Sequence, residues 1–433
     1  MLIANTIGVL IYIVLCGYLV RQDKKTFVFF AFLAFSQVWS LISCWYNDFG
    51  IYNIELFRYT ETTLATFRLS MLYCVFNLGF LAMIFLLKDK PLARVDYAWS
   101  KETLKLGPVK VAIYGTIGLV ILYIVYSFYT GGIPIYSGFD KLAHFEEAGR
   151  IERTLILYGF LFAFLLGYFR KMRGKYSVNG ILLAVFMIYL LLAGNKFSSL
   201  MLLLVCYYAP IFARYYFKNP DVKVLKAKYI GIVLIVVIVL VGIAFMSYAY
   251  GSDNVSFAGN YLLNRIFAFQ GEMWWAIDYD YHLSGMYDDG HWNTELNAVF
   301  SPREYSSTDV GMKYLMIEVL GPEKAYPIIE KGYLYTMTYP GILIAMFPLW
   351  AAFVIQFFAG VIFFLLLYYF YYAVVYGHFF RALVTVMMII PYITVLFTGN
   401  LGVFFTFGMA IKIIILILLE LGGAKQLRSG AHV

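Results

Sequence analysis

Charged residues are scarce in this sequence, and their scarcity decides its class. Only 13% of the 433 residues are charged, while 62% are hydrophobic. A soluble domain carries about 25% charged residues. Long uncharged runs recur along the whole chain, and a run of about 20 apolar residues is what a membrane-spanning helix requires. We therefore predict an all-α polytopic membrane protein.

Residues that form disulfides or bind metals are also few. The four cysteines all lie in apolar runs, and the five histidines are scattered without zinc-like spacing. The sequence has no phosphate-binding glycine loop, no GxSxG nucleophile motif and no HExxH zinc motif. We therefore expect no cofactor and no metal. Because the predicted inner loops are short, we also expect no cytosolic nucleotide donor.

The sequence predicts about eleven spans. The first has no small-residue cleavage site after it, so we expect it to be retained as a helix. Residues 341–375 are too long for one span, since about 35 helical residues measure about 50 Å. Either this helix tilts and projects, or a short segment around Pro340–Pro348 lies at the outer interface and the span begins after a break at Pro348. The spans cover residues 2–20, 26–45, 67–88, 110–129, 154–169, 178–193, 198–213, 229–248, 341–375, 382–398 and 401–421.

Basic residues set the predicted orientation. With the N-terminus outside, 21 of the 33 Lys and Arg lie on the inner side and 11 on the outer side. The positive-inside rule favours this arrangement, which also places the C-terminus inside. The net charge of +8 is therefore interpreted as a topology signal facing anionic lipid, and not as a nucleic-acid surface.

Two outer segments, 130–153 and 249–340, are long enough to carry function within one helical membrane domain of residues 1–433. The second is rich in Trp, Tyr, Asn and Asp, yet contains apolar helical stretches such as MKYLMIEVL, so we expect it to be partly helical. Aromatic rings stack on sugar rings. Trp274 and Trp275 are therefore candidate sugar-binding residues. The alternative is an aromatic belt at the headgroup level.

Cations near the predicted membrane surface are candidate phosphate ligands. Arg150, Arg153 and Arg265 lie near predicted helix ends, and Arg303 lies in the second outer segment. A guanidinium group binds phosphate oxygens in a fork and cannot be neutralised. The alternative roles of these arginines are headgroup contacts or ion pairs with neighbouring glutamates.

Two lysines are further candidate phosphate ligands. Lys196 lies in the turn AGNKFSS (193–199), where it could bind phosphate or cap a helix. Lys412 lies within a predicted span, where a lysine is costly unless it faces a polar interior. It either meets a lipid pyrophosphate or pairs internally.

Glu272 is the candidate base. It follows Arg265 by seven residues in RIFAFQGEMWW (265–275), which is two turns on one face if the stretch is helical. Trp274 and Trp275 beside it would raise the pKa of its carboxyl by desolvation. The alternative is a Glu–Arg pair without chemistry.

Several segments together resemble the Wzy-type polymerases of O-antigen or capsule repeat units. The resemblance covers most of residues 110–420 and implies a GT-C-like fold in a bacterial inner membrane, with the catalytic face in the periplasm. Lys313 and Tyr335 lie in its last two segments and are candidate substrate-binding residues. In order, the segments are GGIP, the Arg150 and Arg153 region, AGNKFSS, RIFAFQGEMWW, STDVGMKYLMIEVLGPEKAY and GYLYTMTYP.

The resemblance implies a metal-independent glycosyl transfer between two lipid-linked glycans. An acceptor hydroxyl attacks the donor's anomeric carbon, undecaprenyl pyrophosphate leaves, and a chain-length regulator is the expected partner. Outer-loop arginines are the functional candidates of this family, which assigns Arg150, Arg153 and Arg265 to the pyrophosphate. Glu272 as the base is our inference from the residues, and His291 is its rival because related ligases use a histidine.

Two other functions remain open. An O-antigen ligase has the same chemistry with lipid A core as the acceptor. A flippase for lipid-linked oligosaccharide is of another class and should line its spans with charges. Here only Lys412 and Glu420 lie in a span or at its end.

Overall fold

A computed structural model gives the architecture of the chain. It describes residues 1–87, 107–131, 149–170, 178–192, 197–219, 263–283, 291–301, 304–306, 308–330, 339–399 and 401–430. These residues are almost all helical, and seven of their helices are long and apolar enough to cross a membrane. The prediction of an all-α membrane protein is therefore confirmed at this level.

The described helices follow the hydropathy of the sequence. In chain order they are α1 (Leu2–Gln22), α2 (Phe27–Asn47), α3 (Ala65–Leu87), α4 (Gly107–Gly131), α5 (Gly149–Phe169), α6 (Val178–Leu192), α7 (Phe197–Lys218), α8 (Glu272–Asp278), α9 (His291–Phe300), α10 (Gly311–Leu320), α11 (Pro322–Glu330), α12 (Tyr339–Met346), α13 (Leu349–Val375), α14 (Phe379–Thr398) and α15 (Phe407–Gly430).

Three predicted spans differ from these helices or go beyond them. The span 341–375 is divided, because α12 ends at Met346 and α13 begins after Pro348. This agrees with the alternative in which the span begins after a break at Pro348. The span 401–421 starts too early, since residues Leu401–Val403 form a 3-10 turn and α15 begins at Phe407. The predicted span 229–248 lies outside the described residues.

Glycines set the closest helix contacts of the bundle. A Cβ atom at Gly79 of α3 would collide with the carbonyl oxygen of Phe357 in α13, and one at Gly360 would collide with that of Phe76. Only hydrogen at these two positions lets the backbones approach so closely, and small residues are what allow helices to pack tightly in lipid. The α3–α13 crossing therefore depends on both glycines.

A short hairpin interrupts the helical pattern between α2 and α3. Its strands are β1 (Tyr52–Asn53) and β2 (Arg58–Tyr59), paired antiparallel with Tyr52 opposite Tyr59. The hairpin and residues 263–283 lie together beside the C-terminal end of α2. We call this side of the protein the loop face, and it is the side that the charge distribution predicts to be outside.

Candidate functional site

Residues 263–271 are fixed against α2. The Trp39 indole donates a hydrogen bond to the carbonyl of Ile266 at 2.7 Å. The Ser43 hydroxyl and the Asn47 amide both donate to the carbonyl of Ala268, at 2.6 and 2.9 Å. These bonds join positions more than 200 residues apart in the chain. They satisfy backbone groups that a buried turn would otherwise leave without partners.

The stretch RIFAFQGEMWW is not one helix. Residues 263–267 are helical, 268–271 form a turn, and α8 begins at Glu272. Gly271 makes this turn possible, because a Cβ there would collide with the backbone of Cys44. The assumption that Arg265 and Glu272 lie two turns apart on one helix face is therefore wrong. The turn nevertheless brings the two side chains close enough to interact electrostatically.

Glu272 is a buried carboxyl group on the loop face. It is 0% exposed, and among the described residues no hydrogen bond of ordinary geometry reaches either of its carboxyl oxygens. Burial raises the pKa of this carboxyl well above its usual range, and the nearby Glu55 raises that pKa further. Asn53 and the positive charge of Arg265 oppose the rise. Because a charged carboxylate is costly to bury, this environment favours the protonated form of Glu272.

Two of the groups that act on Glu272 come from the hairpin. Asn53 holds the turn, since its side-chain oxygen accepts the backbone N–H of Glu55 at 3.0 Å and that of Leu56 at 3.1 Å. Its amide donates to the side-chain oxygen of Asn47 at 3.1 Å, which ties the turn to α2. Glu55 itself is half-buried. Sequence reasoning missed both Asn53 and Glu55.

Two ion pairs connect the same face. Arg68 of α3 binds Asp278 with two hydrogen bonds, and the Nε–Oδ1 distance is 2.6 Å. In the hairpin, Nη1 of Arg58 lies 3.4 Å from Oδ1 of Asp280. The central carbon of the same guanidinium group lies 5.5 Å from the ring centroid of Trp275. The hairpin and α3 are thus fixed to residues 275–280 by charge as well as by packing.

The two tryptophans belong to the core. Each is 1% exposed. The Trp274 indole donates to the carbonyl of Ala65 at 2.9 Å, and the Trp275 indole donates to that of Glu61 at 3.2 Å. A sugar ring has no access to either face in this structure, so the structure gives these side chains a packing role.

Exposed aromatic rings lie on the hairpin instead. Tyr52 and Tyr59 are register partners on one face of it, with ring centroids 5.1 Å apart and planes at 62°. Tyr59 is 73% exposed, and Phe57 at the end of the turn is exposed as well. Asn53 and Arg58 occupy the opposite face of the hairpin. This exposed pair is therefore accessible for stacking on a ligand.

His291 occupies a separate buried position. Its Nε2 lies 3.3 Å from Oε1 of Glu295, and its ring stacks on Tyr314 with centroids 3.6 Å apart. The same Glu295 oxygen accepts the backbone N–H of Gly311 at the start of α10. These contacts join α9 to α10, and they give His291 a structural partner on each side. Lys313 lies half-buried on α10.

The remaining candidates are placed only in part. The backbones of Arg150 and Arg153 lie in the first turns of α5, and their side chains lie outside the described residues. Lys412 is half-buried in α15. Outside the described residues altogether lie Lys196, Arg303 and Tyr335.

Comparison with known proteins gives one match. Residues 305–413 match a protein family described as a family of unknown function (DUF6418). The match spans roughly a quarter of the chain and includes Lys313 and Lys412, but neither Arg265 nor Glu272. The chain matches no curated protein and no solved structure. Since the family description names no activity, the case for a function comes from the residues themselves.

Proposed function

We propose that this protein is a polymerase of lipid-linked oligosaccharide repeat units, of the Wzy type, acting on the loop face. The observation that supports it best is the fully buried carboxyl group of Glu272 on the loop face, on which the charges of Arg265 and Glu55 both act. This arrangement combines a permanent cation with a pair of acids, without requiring a metal.

The chemistry of glycosyl transfer from a pyrophosphate needs these two kinds of group. The leaving pyrophosphate develops negative charge, and a preorganised guanidinium stabilises that charge. A carboxylate within reach of the acceptor hydroxyl contributes a further factor of about 10²–10⁴ as a general base. Arg265 is half-buried and is assigned the pyrophosphate of the undecaprenyl-linked donor. Arg150 and Arg153 are assigned the same ligand on the strength of the resemblance.

The hairpin supplies the sugar-binding surface in this proposal. Tyr52 and Tyr59 present adjacent exposed rings, and aromatic faces bind the C–H faces of sugars. This role replaces the one that the sequence predicted for Trp274 and Trp275. The same proposal includes eleven spans, a GT-C-like fold, a bacterial inner membrane, a periplasmic N-terminus and a partner that regulates chain length.

Deletion of the gene in its source bacterium tests the function. We expect the surface polysaccharide to lose its ladder on a gel and to keep a band of core plus one repeat unit, because units are then made and attached but not joined. Expression of the parent protein should restore the ladder. Arg265→Ala should fail to restore it, whereas Arg21→Ala, at an exposed position on α1 outside the loop face, should restore it.

Other results would assign another function. Core without any repeat unit, together with long polymer on the lipid carrier, would indicate the ligase. Core without any repeat unit and without polymer would indicate the flippase. An unchanged ladder would refute the assignment to this class of enzymes.

A further inference from the structure

Arg58 of the hairpin is a cation that uses only part of its hydrogen-bonding capacity. Its Nη1 atom lies 3.4 Å from Oδ1 of Asp280, which is long for a hydrogen bond between charged groups. Its Nε and Nη2 atoms are buried, and among the described residues neither has a hydrogen-bond partner. Buried N–H groups are nearly always paired, so an unpaired one calls for an explanation. Two of them on one guanidinium group indicate a position for an acceptor that the described residues do not supply.

The second ion pair of the loop face shows which edge of the guanidinium group is left over. Arg68 binds both carboxyl oxygens of Asp278 through its Nε and Nη2 atoms. These two atoms form an edge whose parallel N–H groups match two oxygens of a carboxylate or a phosphate. In Arg58 the same edge carries no acceptor from the described residues, while Nη1 meets Asp280. The arginine fork is therefore occupied at Arg68 and unoccupied at Arg58.

Two aromatic rings orient the Arg58 guanidinium group. Its central carbon lies 5.5 Å from the ring centroid of Trp275 and 5.5 Å from that of Tyr279. The two rings stack on each other with centroids 5.3 Å apart, and the Trp275 indole is fixed by its hydrogen bond to the carbonyl of Glu61. A cation held over aromatic faces keeps its N–H donors for other partners. The rings thus place the charge of Arg58 without using the fork.

The Arg58 side chain is also within reach of the solvent. Its exposed fraction is 31%, compared with 20% for Arg68. Its neighbours in the chain, Phe57 and Tyr59, are exposed as well. A ligand on the loop face can therefore contact the guanidinium group from its exposed side. Because a long ion pair at one atom resists rotation less than a pair at two atoms, the Nε–Nη2 edge of Arg58 can turn towards such a ligand.

We propose that Arg58 binds a phosphate group on the loop face through its Nε and Nη2 atoms. A phosphate group fits because it offers two oxygens to the fork and carries the charge that balances a guanidinium. This inference deepens the proposed function, and it rests on that function for assigning the phosphate to the pyrophosphate of the lipid-linked donor. A bilayer headgroup offers the same chemistry. Asp280 competes for the same cation, since its carboxylate lies against Nη1.

Binding measurements on the full-length protein in phosphatidylcholine nanodiscs test this role without relying on activity. The probes are inorganic pyrophosphate and farnesyl pyrophosphate, which carries a short polyprenyl chain, and both are titrated by calorimetry at constant salt. Arg58→Lys keeps the positive charge but lacks the fork. It should weaken the binding of farnesyl pyrophosphate by about 10- to 100-fold, the effect of losing one hydrogen bond to a charged group. Arg21→Ala, at an exposed position outside the loop face, should leave the affinity unchanged.

A second variant separates phosphate binding from a purely structural role. Asp280→Asn removes a carboxylate that competes for Arg58 and repels a phosphate, so it should tighten binding by roughly two- to fivefold. If Arg58 only tied the hairpin to residues 275–280, the two variants would not shift the affinity in opposite directions. Glu304→Gln removes an exposed negative charge elsewhere in the predicted outer segment and should change the affinity little. Thermal unfolding of each variant reports that it is folded.

The outcomes identify the source of the phosphate and separate this inference from the proposed function. Tighter binding of farnesyl than of inorganic pyrophosphate, lost in Arg58→Lys, assigns the site to a lipid-linked ligand. Competition by phosphatidylglycerol that disappears in Arg58→Lys assigns it to a headgroup. Unchanged affinity in Arg58→Lys, or weaker binding in Asp280→Asn, would overturn the role of Arg58 and leave the polymerase assignment standing. If deletion of the gene leaves the ladder unchanged, the proposed function fails, and the affinities still decide whether Arg58 binds phosphate.

Discussion

Arg68 and Asp278 form a two-point ion pair across 210 positions of sequence. The Asp278 side chain is completely buried and that of Arg68 is 20% exposed. The pair joins the start of α3 to the end of α8, which is the helix that carries Glu272.

Arg68→Ala should therefore destabilise the protein strongly. Removal of one partner of a buried ion pair leaves the other charge uncompensated and costs about 3–5 kcal/mol. Thermal unfolding of the purified protein should show a marked drop in Tm. Arg58→Ala is the matched control, since its pair with Asp280 is longer and more exposed, and the drop should be smaller. Equal drops would contradict this ranking.

The glycine contact between α3 and α13 gives a second prediction. Gly79→Ala should destabilise the bundle by about 1–3 kcal/mol, because the added methyl group collides with the backbone at Phe357. Gly115→Ala in α4 is the control, since a Cβ there meets nothing within 4 Å. Alanine is the better helix former, so this control should be neutral or stabilising by up to about 1 kcal/mol. Thermal unfolding of both variants measures the contrast.

Glu272 should make the stability of the protein depend on pH. Burial raises the pKa of its carboxyl in the folded state, while an unfolded glutamate has a pKa of about 4.3. The folded state therefore binds this proton more tightly. The associated stability is fully present below about pH 4 and is lost as the pH rises towards the folded pKa.

Glu272→Gln mimics the protonated form and removes this dependence. The Tm of the parent protein should fall relative to that of Glu272→Gln as the pH is raised from about 5 to 8, a window that begins above the ordinary glutamate pKa. Glu304→Gln should follow the parent curve. Parallel curves for the parent and Glu272→Gln would show that Glu272 ionises normally.

Substitution of a buried aromatic residue should lower stability, whereas substitution of an exposed one should lower activity. Trp274→Ala should cost about 3–5 kcal/mol of stability, because it opens a cavity and leaves the Ala65 carbonyl without its donor. Tyr59→Ala should leave Tm nearly unchanged, since the ring is largely exposed, and should reduce polymer formation. Thermal unfolding and complementation measured on both variants test the division. Normal polymer with Tyr59→Ala would remove this ring from the sugar-binding surface.

Hydropathy alone predicted most of the described helices. Apolar runs mark the spans because lipid offers backbone groups no partners, and the break before α13 was already visible at Pro348. The start of α15 was placed too early, because LGVFF is as apolar as the helix that follows it.

The candidate site was predicted only in part. Arg265 and Glu272 were identified by their types and spacing, although the turn at Gly271 replaces the expected helix. Glu55 was missed because strands of two residues carry no alternating pattern, and its partner lies more than 200 residues away. The burial of Trp274 and Trp275 could not be predicted from the sequence either. A tryptophan in a loop of this composition fits a headgroup belt, a sugar-binding site or a core equally well.

The close contact between Gly271 and the Cys44 backbone also bears on how Glu272 is oriented. The two backbones approach closely there, and the Gly271 N–H donates a hydrogen bond to the Ser43 hydroxyl at 2.8 Å. Any side chain larger than hydrogen at position 271 would have to push residues 268–272 away from α2. The first residue of α8 would then turn with this segment, so a single hydrogen atom sets the direction in which the Glu272 carboxyl points.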